Sequence, residues 1–337
     1  MRLNGRMGLQ KALVVVMLSA AAVTGAVADD LPGKGVTVQP ADQNYVNEWF
    51  QGDLVSLGLK DLGYDVKDSA SMQMQAAFVS VANGDATYYP AYWNPLHKSF
   101  FEQAGGEAKL QPVGTLVTNS IQGYLIDKKT ADANNIKTIN QLKDPAIAKL
   151  FDIDGDGKAD LYGCDPGWGC ERVIEHQLDA YGLRDTVHHL QGSYETIIAD
   201  AIERIKAGKP TLYYAWTPNW LSAVLRPGQE VAWLTVTSTA LPDDQVGAVT
   251  EVPGIGNTGF PVNTQHVIAN TDFLTKNPAA RKWFELVAVP IEDINAENLL
   301  EHEGQTSAAQ VLAHAEDWKA KHTTQWDAWI AEAKAAK

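Results

Sequence analysis

Two cysteines, the only two in the chain, restrict what this sequence can fold into more than any other feature. They end the segment Cys164-Asp165-Pro166-Gly167-Trp168-Gly169-Cys170. Asp-Pro-Gly predicts a turn, because Pro pre-sets φ and Gly accepts positive φ. Apolar residues three to four apart follow the segment and predict a helix after Cys170. If the cysteines are joined, we expect Trp168 to be held at the N-terminal end of that helix.

The start of this helix has the chemistry of a small-molecule site. The N–H groups of Gly169, Cys170 and Glu171 belong to the first turn, where they have no intrahelical partner and attract anions. Trp168 beside them offers an aromatic face that attracts cations. A loop that serves both charges suits a small zwitterion.

Residues 1–28 have the pattern of a secretory signal peptide. A basic region precedes an apolar run, and Ala26-Val27-Ala28 matches a cleavage motif. We therefore predict cleavage after Ala28 and a periplasmic mature chain. Export to that compartment favours a disulfide, and two cysteines allow only the pairing Cys164–Cys170.

The charge of the mature chain argues against two classes of partner. The predicted signal peptide carries three of the 27 basic residues and no acidic one, which leaves 24 basic against 41 acidic residues and a net charge of −17. An acidic surface disfavours nucleic acid and anionic membranes. No later segment approaches the 18 uninterrupted apolar residues of a membrane-spanning helix. We therefore expect a soluble protein.

The sequence gives no support to a cofactor or to catalysis. Gly254–Gly259 matches the spacing of a dinucleotide-binding loop, but Pro253 precedes it and Phe260-Pro261 follows it, where a strand and a helix are needed. The common hydrolase, metalloprotease and nucleotide-binding motifs are absent from the sequence. We expect no cofactor and no enzymatic activity.

Short apolar strands alternate with helical patterns along the chain, which predicts an α/β fold with a mostly parallel sheet. The mature chain exceeds the usual size of a single core, so we expect two lobes. We assign residues 29–122 and 263–337 to lobe I and residues 123–262 to lobe II. Two crossings, near 120–125 and 258–266, would join them.

Three of the ten tryptophans, Trp93, Trp168 and Trp216, lie in Pro- or Gly-rich turns after strands. Ligand-binding residues are frequent in such loops, which favours a cage for a cation over core packing. His97 lies four residues after Trp93 and would share its helix face. It is either a donor to the anionic end of a ligand or a surface or capping histidine.

An acidic segment gives an incomplete calcium motif. Asp152, Asp154, Asp156 and Asp160 stand at positions 1, 3, 5 and 9 of a calcium loop, with Gly157 at position 6. Position 12 is Gly163, where a bidentate Glu is expected. The segment is therefore either an incomplete calcium loop or an acidic turn, and we assign no metal site to the protein.

Three segments resemble the periplasmic glycine betaine/proline betaine-binding proteins of osmoprotectant ABC transporters. They are Trp-Asn-Pro-Leu-His at 93–97, the segment Cys164–Cys170, and Tyr-Tyr-Ala-Trp-Thr-Pro-Asn-Trp at 213–220. The resemblance implies a type II periplasmic-binding-protein fold: two α/β domains, joined by two crossover segments, that close over a ligand in the cleft. It also implies an ABC permease in the inner membrane as partner. We expect a monomer.

The resemblance also implies roles for individual residues. A trimethylammonium group would lie among the residues that we name the tryptophan cage: Trp93, Trp168 and Trp216. The ligand carboxylate would be held by the His97 side chain and by two backbone amides, those of Gly169 and Cys170. Binding should vary little around neutral pH, apart from any titration of His97.

Four positions depart from the family pattern. Asn94, Asp165, Ala215 and Asn219 stand where the family has Thr, Asn, Thr and Tyr. Asp165 would add a negative charge beside the carboxylate pocket, which could weaken binding or change selectivity. Alternative ligands are other cationic amines and zwitterions such as choline, carnitine or ectoine. A different alternative is a secreted calcium-dependent carbohydrate binder or hydrolase.

Overall fold

The computed structural model describes residues 31–43 and 45–336. The predicted signal peptide, residues 1–28, and its cleavage site lie outside these residues. The strands of the described part are β1 (Thr37–Val38), β2 (Ala41–Gln43), β3 (Asp65–Val66), β4 (Ala70–Met72), β5 (Tyr88–Asn94), β6 (Leu110–Asp127), β7 (Ala159–Tyr162), β8 (Val187–Leu190), β9 (Leu212–Thr217), β10 (Val231–Leu234), β11 (Glu251–Val252), β12 (Gly256–Asn257) and β13 (Asn263–Asn270).

Helices of both ordinary and very short length connect these strands. They are α1 (Trp49–Asp61), α2 (Met74–Asn83), α3 (Lys98–Gln103), α4 (Lys128–Asn134), α5 (Pro145–Ala148), α6 (Gly169–Ala180), α7 (Tyr194–Lys206), α8 (Leu221–Val224), α9 (Thr271–Lys276), α10 (Pro278–Leu286), α11 (Ile291–His302), α12 (Ala308–Lys321) and α13 (Thr323–Ala335). None of the helices in residues 31–43 and 45–336 has both the length and the apolar character needed to cross a membrane.

The largest sheet has seven strands in the order β5-β13-β6-β9-β7-β8, with β10 also paired to β6. β13 is antiparallel to both of its neighbours, and β6 is antiparallel to β13, β9 and β10. The parallel pairs within this sheet are those of β7 with β8 and with β9. The prediction of a mostly parallel sheet is therefore wrong. The prediction assumed that successive strands are neighbours in the sheet. In the structure β13, from a distant part of the sequence, lies between β5 and β6 and is antiparallel to both.

β6 contributes to two separate hydrophobic clusters. Val113 and Val117, in its first part, belong to the cluster that contains Trp283. Leu125, in its last part, belongs to the cluster that contains Leu161. Between these parts Asn119 has a left-handed φ of 57°, a conformation that Asn tolerates better than most residues. One strand thus connects the two cores.

Candidate functional site

Two members of the tryptophan cage lie near the carboxyl ends of strands. Trp93 is the sixth residue of β5 and Trp216 the fifth residue of β9. Their side chains are almost fully buried, with exposed fractions of 7% and 9%. Trp168 is the N-cap residue of α6 and is half-buried. The prediction that all three lie in turns after strands is therefore wrong for Trp93 and Trp216, which lie within strands.

Two of the cage tryptophans, Trp168 and Trp216, pack at an angle to each other. The ring centroids of Trp168 and Trp216 are 5.6 Å apart and their planes meet at 78°. The Tyr194 ring packs against both indoles, with centroid distances of 4.5 Å to Trp216 and 6.2 Å to Trp168. Packing of this kind fixes the direction of each indole face.

His97 is held by a reciprocal pair of hydrogen bonds with Trp93. The Trp93 backbone N–H donates to His97 Nδ1 at 3.2 Å, and the His97 N–H donates to the Trp93 carbonyl at 2.8 Å. Since Nδ1 accepts, the ring proton of the neutral imidazole is on Nε2. Burial lowers the pKa of His97 to about 3. The side chain is therefore a neutral N–H donor at physiological pH.

The N-terminus of α6 lies directly against the segment that carries His97. A Cβ built on Gly169 would lie 2.7 Å from Leu96 Cγ and 3.1 Å from His97 Cδ2, so only glycine fits there without displacement. The Cys164–Cys170 disulfide, predicted from the sequence, is present. No side chain caps α6, which leaves its first-turn amides available to an anion.

All six predicted ligand-binding residues line one cavity, which we name the cage cavity. It encloses about 530 Å³ of space between protein atoms, including space continuous with solvent. The six are Trp93, His97, Trp168, Gly169, Cys170 and Trp216. The arrangement puts aromatic faces, one neutral N–H donor and a helix N-terminus around a single volume. Such a volume can accommodate opposite charges on one small molecule.

Tyr45 is an aromatic wall of the cage cavity that the sequence analysis missed. Its ring centroid lies 5.3 Å from Trp168 and 6.1 Å from Trp216. Its hydroxyl donates to Glu195 Oε1 at 3.1 Å and accepts from Asn219 Nδ2 at 3.4 Å. Burial is the main cause that raises its pKa. No apolar period distinguishes position 45, so the sequence pattern does not mark Tyr45 as a binding residue.

The polar wall of the cage cavity was also missed. It is formed by one carboxylic acid and five side-chain amides: Glu48, Gln43, Asn47, Gln51, Gln122 and Gln265. Tyr89 donates from its hydroxyl to Glu48 Oε2 at 2.9 Å. Burial raises the pKa of Glu48 to about 7 and nearby Asp42 adds to the rise, while the Tyr89 hydrogen bond opposes it. Polar residues of this kind resemble surface residues in a sequence.

The structure revises the expected position of Asp165. Its Oδ1 accepts a hydrogen bond of 2.7 Å from the backbone N–H of Tyr194, the first residue of α7. Burial raises the pKa of Asp165. The carboxylate is thus directed to the N-terminus of α7, which stabilises negative charge. Asn219, another of the four departures from the family pattern, donates from Nδ2 to the Tyr45 hydroxyl.

The acidic segment binds its own backbone. Asp152 accepts from the amides of Gly155 at 2.7 Å and Gly157 at 2.9 Å. The carboxylates of Asp152, Asp154 and Asp156 approach within 4.8 Å of one another. Asp160 is buried and accepts from the Ile153 amide at 2.7 Å. These bonds are those of a turn, and none of these residues lines the cage cavity.

Comparison with known proteins identifies the family. Residues 36–321 match the family described as the substrate binding domain of ABC-type glycine betaine transport systems. This chain is a member of that family. It is 50% identical over 309 residues to the glycine betaine/proline betaine-binding periplasmic protein of Escherichia coli (strain K12), covering 92% of this chain and 93% of that protein. It is 49% identical to the glycine betaine-binding periplasmic protein OusX of Dickeya dadantii (strain 3937), with the same coverage.

The family resemblance drawn from three sequence segments is therefore confirmed. The family consists of solute-binding components of transporters and is not an enzyme family. Its relatives named above are periplasmic proteins that bind betaines.

Solved structures show the same fold at low sequence identity. A choline-binding protein of an ABC transporter has a TM-score of 0.68 at 16% identity, over 89% of this chain and 97% of that one. Lactococcal OpuAC, in its closed form with glycine betaine, has a TM-score of 0.65 at 20% identity, over 88% of this chain and 99% of that one. The fold is the two-domain type II periplasmic-binding fold, as predicted.

Proposed function

We propose that this chain captures glycine betaine or proline betaine in the periplasm and delivers it to an ABC permease in the inner membrane. One observation carries the proposal. The tryptophan cage, the Nε2–H of His97 and the N-terminus of α6 line the same cavity. Relatives that share about half of the sequence are named for the same ligands.

The cationic end of the ligand would lie against the indole faces. A quaternary ammonium cannot donate a hydrogen bond and keeps its charge at every pH, so an aromatic cage is a suitable partner. Each face contributes about 0.5–2 kcal/mol, more where water is excluded. The near-complete burial of Trp93 and Trp216 supports the upper part of this range.

The anionic end would be held by N–H donors. His97 offers Nε2–H, and the backbone of α6 offers the amides of Gly169 and Cys170. Hydrogen bonds to a charged group contribute about 1.5–3 kcal/mol each, and the helix N-terminus adds a favourable dipole. Choline lacks a carboxylate and would leave these donors unpaired.

No bond is made or broken in this proposal, and we expect no enzymatic activity. Capture would proceed by closure of two lobes, biased by higher affinity of the ligand for the closed state. We assign residues 29–122 and 263–337 to lobe I and residues 123–262 to lobe II. We also propose export with cleavage after Ala28, and a monomeric mature protein.

The decisive experiment is calorimetric titration of the mature protein with glycine betaine, choline and glucose. We expect saturable binding of glycine betaine, weaker binding of choline and none of glucose. The variant Trp168→Ala should weaken glycine betaine binding by about 1–2 kcal/mol or more, because one cage face is lost.

A matched control is Trp329→Ala. Trp329 is half-buried in α13, packs near Trp283 at a centroid distance of 6.2 Å and lies outside the cage cavity. This variant should bind glycine betaine like the wild type. Equal binding by Trp168→Ala and the wild type would show that the cage assignment is wrong.

A further inference from the structure

The cage cavity has a polar wall whose hydrogen-bonding capacity is not used by the protein. Its five amide side chains are all at least nine-tenths buried: Gln43, Asn47, Gln51, Gln122 and Gln265. Each has one polar atom without a hydrogen-bond partner in the described part of the chain. Four of these atoms are carbonyl oxygens and one, on Gln122, is a nitrogen. A buried polar atom left unpaired costs about 1–3 kcal/mol, so a ligand group that pairs with one of these atoms would remove that cost.

Two of these amides lie beside the tryptophan cage. In the sheet, Gln265 of β13 is the cross-strand partner of Trp93, and Gln122 of β6 is the partner of Trp216. Side chains that are opposite each other on neighbouring strands have Cβ atoms about 4.5–5.5 Å apart. A glutamine therefore accompanies each of two indoles at the position proposed for the cationic group.

The two glutamines present different atoms. Gln265 donates from Nε2 to Ser120 Oγ at 3.0 Å, which leaves its Oε1 as the atom without a partner. Gln122 accepts at Oε1 from the Tyr214 hydroxyl at 2.6 Å, which leaves its Nε2 instead. Gln265 thus offers an acceptor beside Trp93, and only an acceptor can pair with an ammonium N–H.

We propose that Gln265 is a specificity-determining residue whose Oε1 accepts a hydrogen bond from a ligand ammonium N–H. This inference rests on the proposed function. The cavity then also takes ammonium zwitterions in which hydrogen replaces one methyl group, such as N,N-dimethylglycine. Such a ligand keeps its cationic charge for the indoles and its carboxylate for the His97 donor. It gains a charge-assisted hydrogen bond that a trimethylammonium group cannot make.

Gln265 Oε1 determines how well N,N-dimethylglycine competes with glycine betaine for the cage cavity. Without it, the N–H of dimethylglycine would lose its acceptor beside Trp93, and a buried N–H that lacks a partner is costly. With it, the charge-assisted bond offsets the methyl contacts that are lost. We therefore expect the dissociation constants of glycine betaine and dimethylglycine to differ by no more than about tenfold in the wild type.

The test is calorimetric titration of wild type and Gln265→Met with both ligands at neutral pH, where dimethylglycine is protonated. Methionine keeps the length of glutamine and removes the acceptor. The ratio of the two dissociation constants, dimethylglycine over glycine betaine, should rise about tenfold or more in this variant. Gln265→Glu supplies a stronger acceptor and should lower the ratio, which also keeps the test valid if the methionine variant fails to fold.

Asn298→Leu is the matched control. Asn298 is equally buried and has an unpartnered Oδ1, but it lies outside the cage cavity, so the ratio should stay at the wild-type value. An unchanged ratio in folded Gln265→Met, or no dimethylglycine binding by a wild type that binds glycine betaine, would overturn the inference alone. A wild type that does not bind glycine betaine would overturn the proposed function as well.

Discussion

The backbone N–H of Trp93 donates to Nδ1 of His97, and the backbone N–H of His97 donates to the carbonyl of Trp93. This pair of bonds fixes the tautomer of the imidazole as well as its position. The nitrogen that carries the proton, Nε2, is the one left to serve a ligand. Trp93, which belongs to the proposed cation site, thereby orients His97, the proposed donor to the ligand carboxylate.

Replacing His97 by Ala should weaken glycine betaine binding by about 1.5–3 kcal/mol, because one hydrogen bond to the ligand carboxylate is lost. Isothermal titration calorimetry measures the change. His302→Ala is a suitable control, since His302 is exposed and stacks on Trp220 at 3.7 Å. Binding by His97→Ala at wild-type strength would exclude the proposed donor role.

Gly169→Ala should reduce affinity for glycine betaine by about tenfold or more, a change of at least about 1.4 kcal/mol. The added Cβ would lie 2.7 Å from Leu96 Cγ and 3.2 Å from the Leu96 carbonyl oxygen, so α6 must move away from the His97 segment.

Gly52→Ala is the comparison for that variant. Its Cβ would meet only Pro90, at 3.5 Å, and Ala is favoured over Gly within a helix such as α1 by about 0.5–1 kcal/mol. We expect normal binding and slightly higher thermal stability for Gly52→Ala. Equal affinities of the two variants would contradict the assigned role of Gly169.

The sequence predicts little change in binding around neutral pH, but with Glu48 in the cage cavity the affinity for glycine betaine should rise severalfold from pH 6 to pH 8. The pKa of Glu48 is about 7, and a cation bound in the same cavity favours the ionised carboxylate, so its pKa falls on binding. Binding then releases a proton, and affinity increases with pH until Glu48 is ionised in the free protein. The pKa of His97, about 3, places its titration below this range.

The control for this prediction is Glu48→Gln. In this variant the affinity measured by calorimetric titration should not change from pH 6 to pH 8. A pH dependence that persists in Glu48→Gln would assign the effect to another group.

Tyr45→Ala should weaken glycine betaine binding by about 1 kcal/mol, because it removes a ring that packs against Trp168 and Trp216. Tyr45→Phe retains the ring and loses only the bonds to Glu195 and Asn219, so it should bind more tightly than Tyr45→Ala. Fluorescence titration of the tryptophans can measure both variants. If the two bind equally well, the ring has no part in the site.

Local patterns predicted several elements well. Apolar spacing and the following Gly208 predict a helix over Tyr194–Lys206, and α7 has those bounds. The pattern over Ser307–Ala335 predicts a single helix, but the structure divides it at His322 into α12 and α13. Neither Pro nor Gly marks that division, so it depends on packing between distant segments.

The site could be predicted only where a residue type indicates its chemistry. Indoles in turns and a Cys-bracketed loop are unusual enough to suggest binding. Gln265 and Tyr45 do not suggest binding by residue type, because their roles depend on which distant strand or helix becomes their neighbour. The strand order had to be known before either residue could be assigned to the cavity.

Asn119 lies in β6 between the parts of the strand that belong to the two hydrophobic clusters, three residues before Gln122. A backbone already outside the extended region at this point offers a natural pivot for any rocking of one half of the protein against the other. A few degrees of rotation there would alter the spacing between Trp93 and Trp216. The width of the proposed cation pocket would then depend in part on the torsion angles of Asn119.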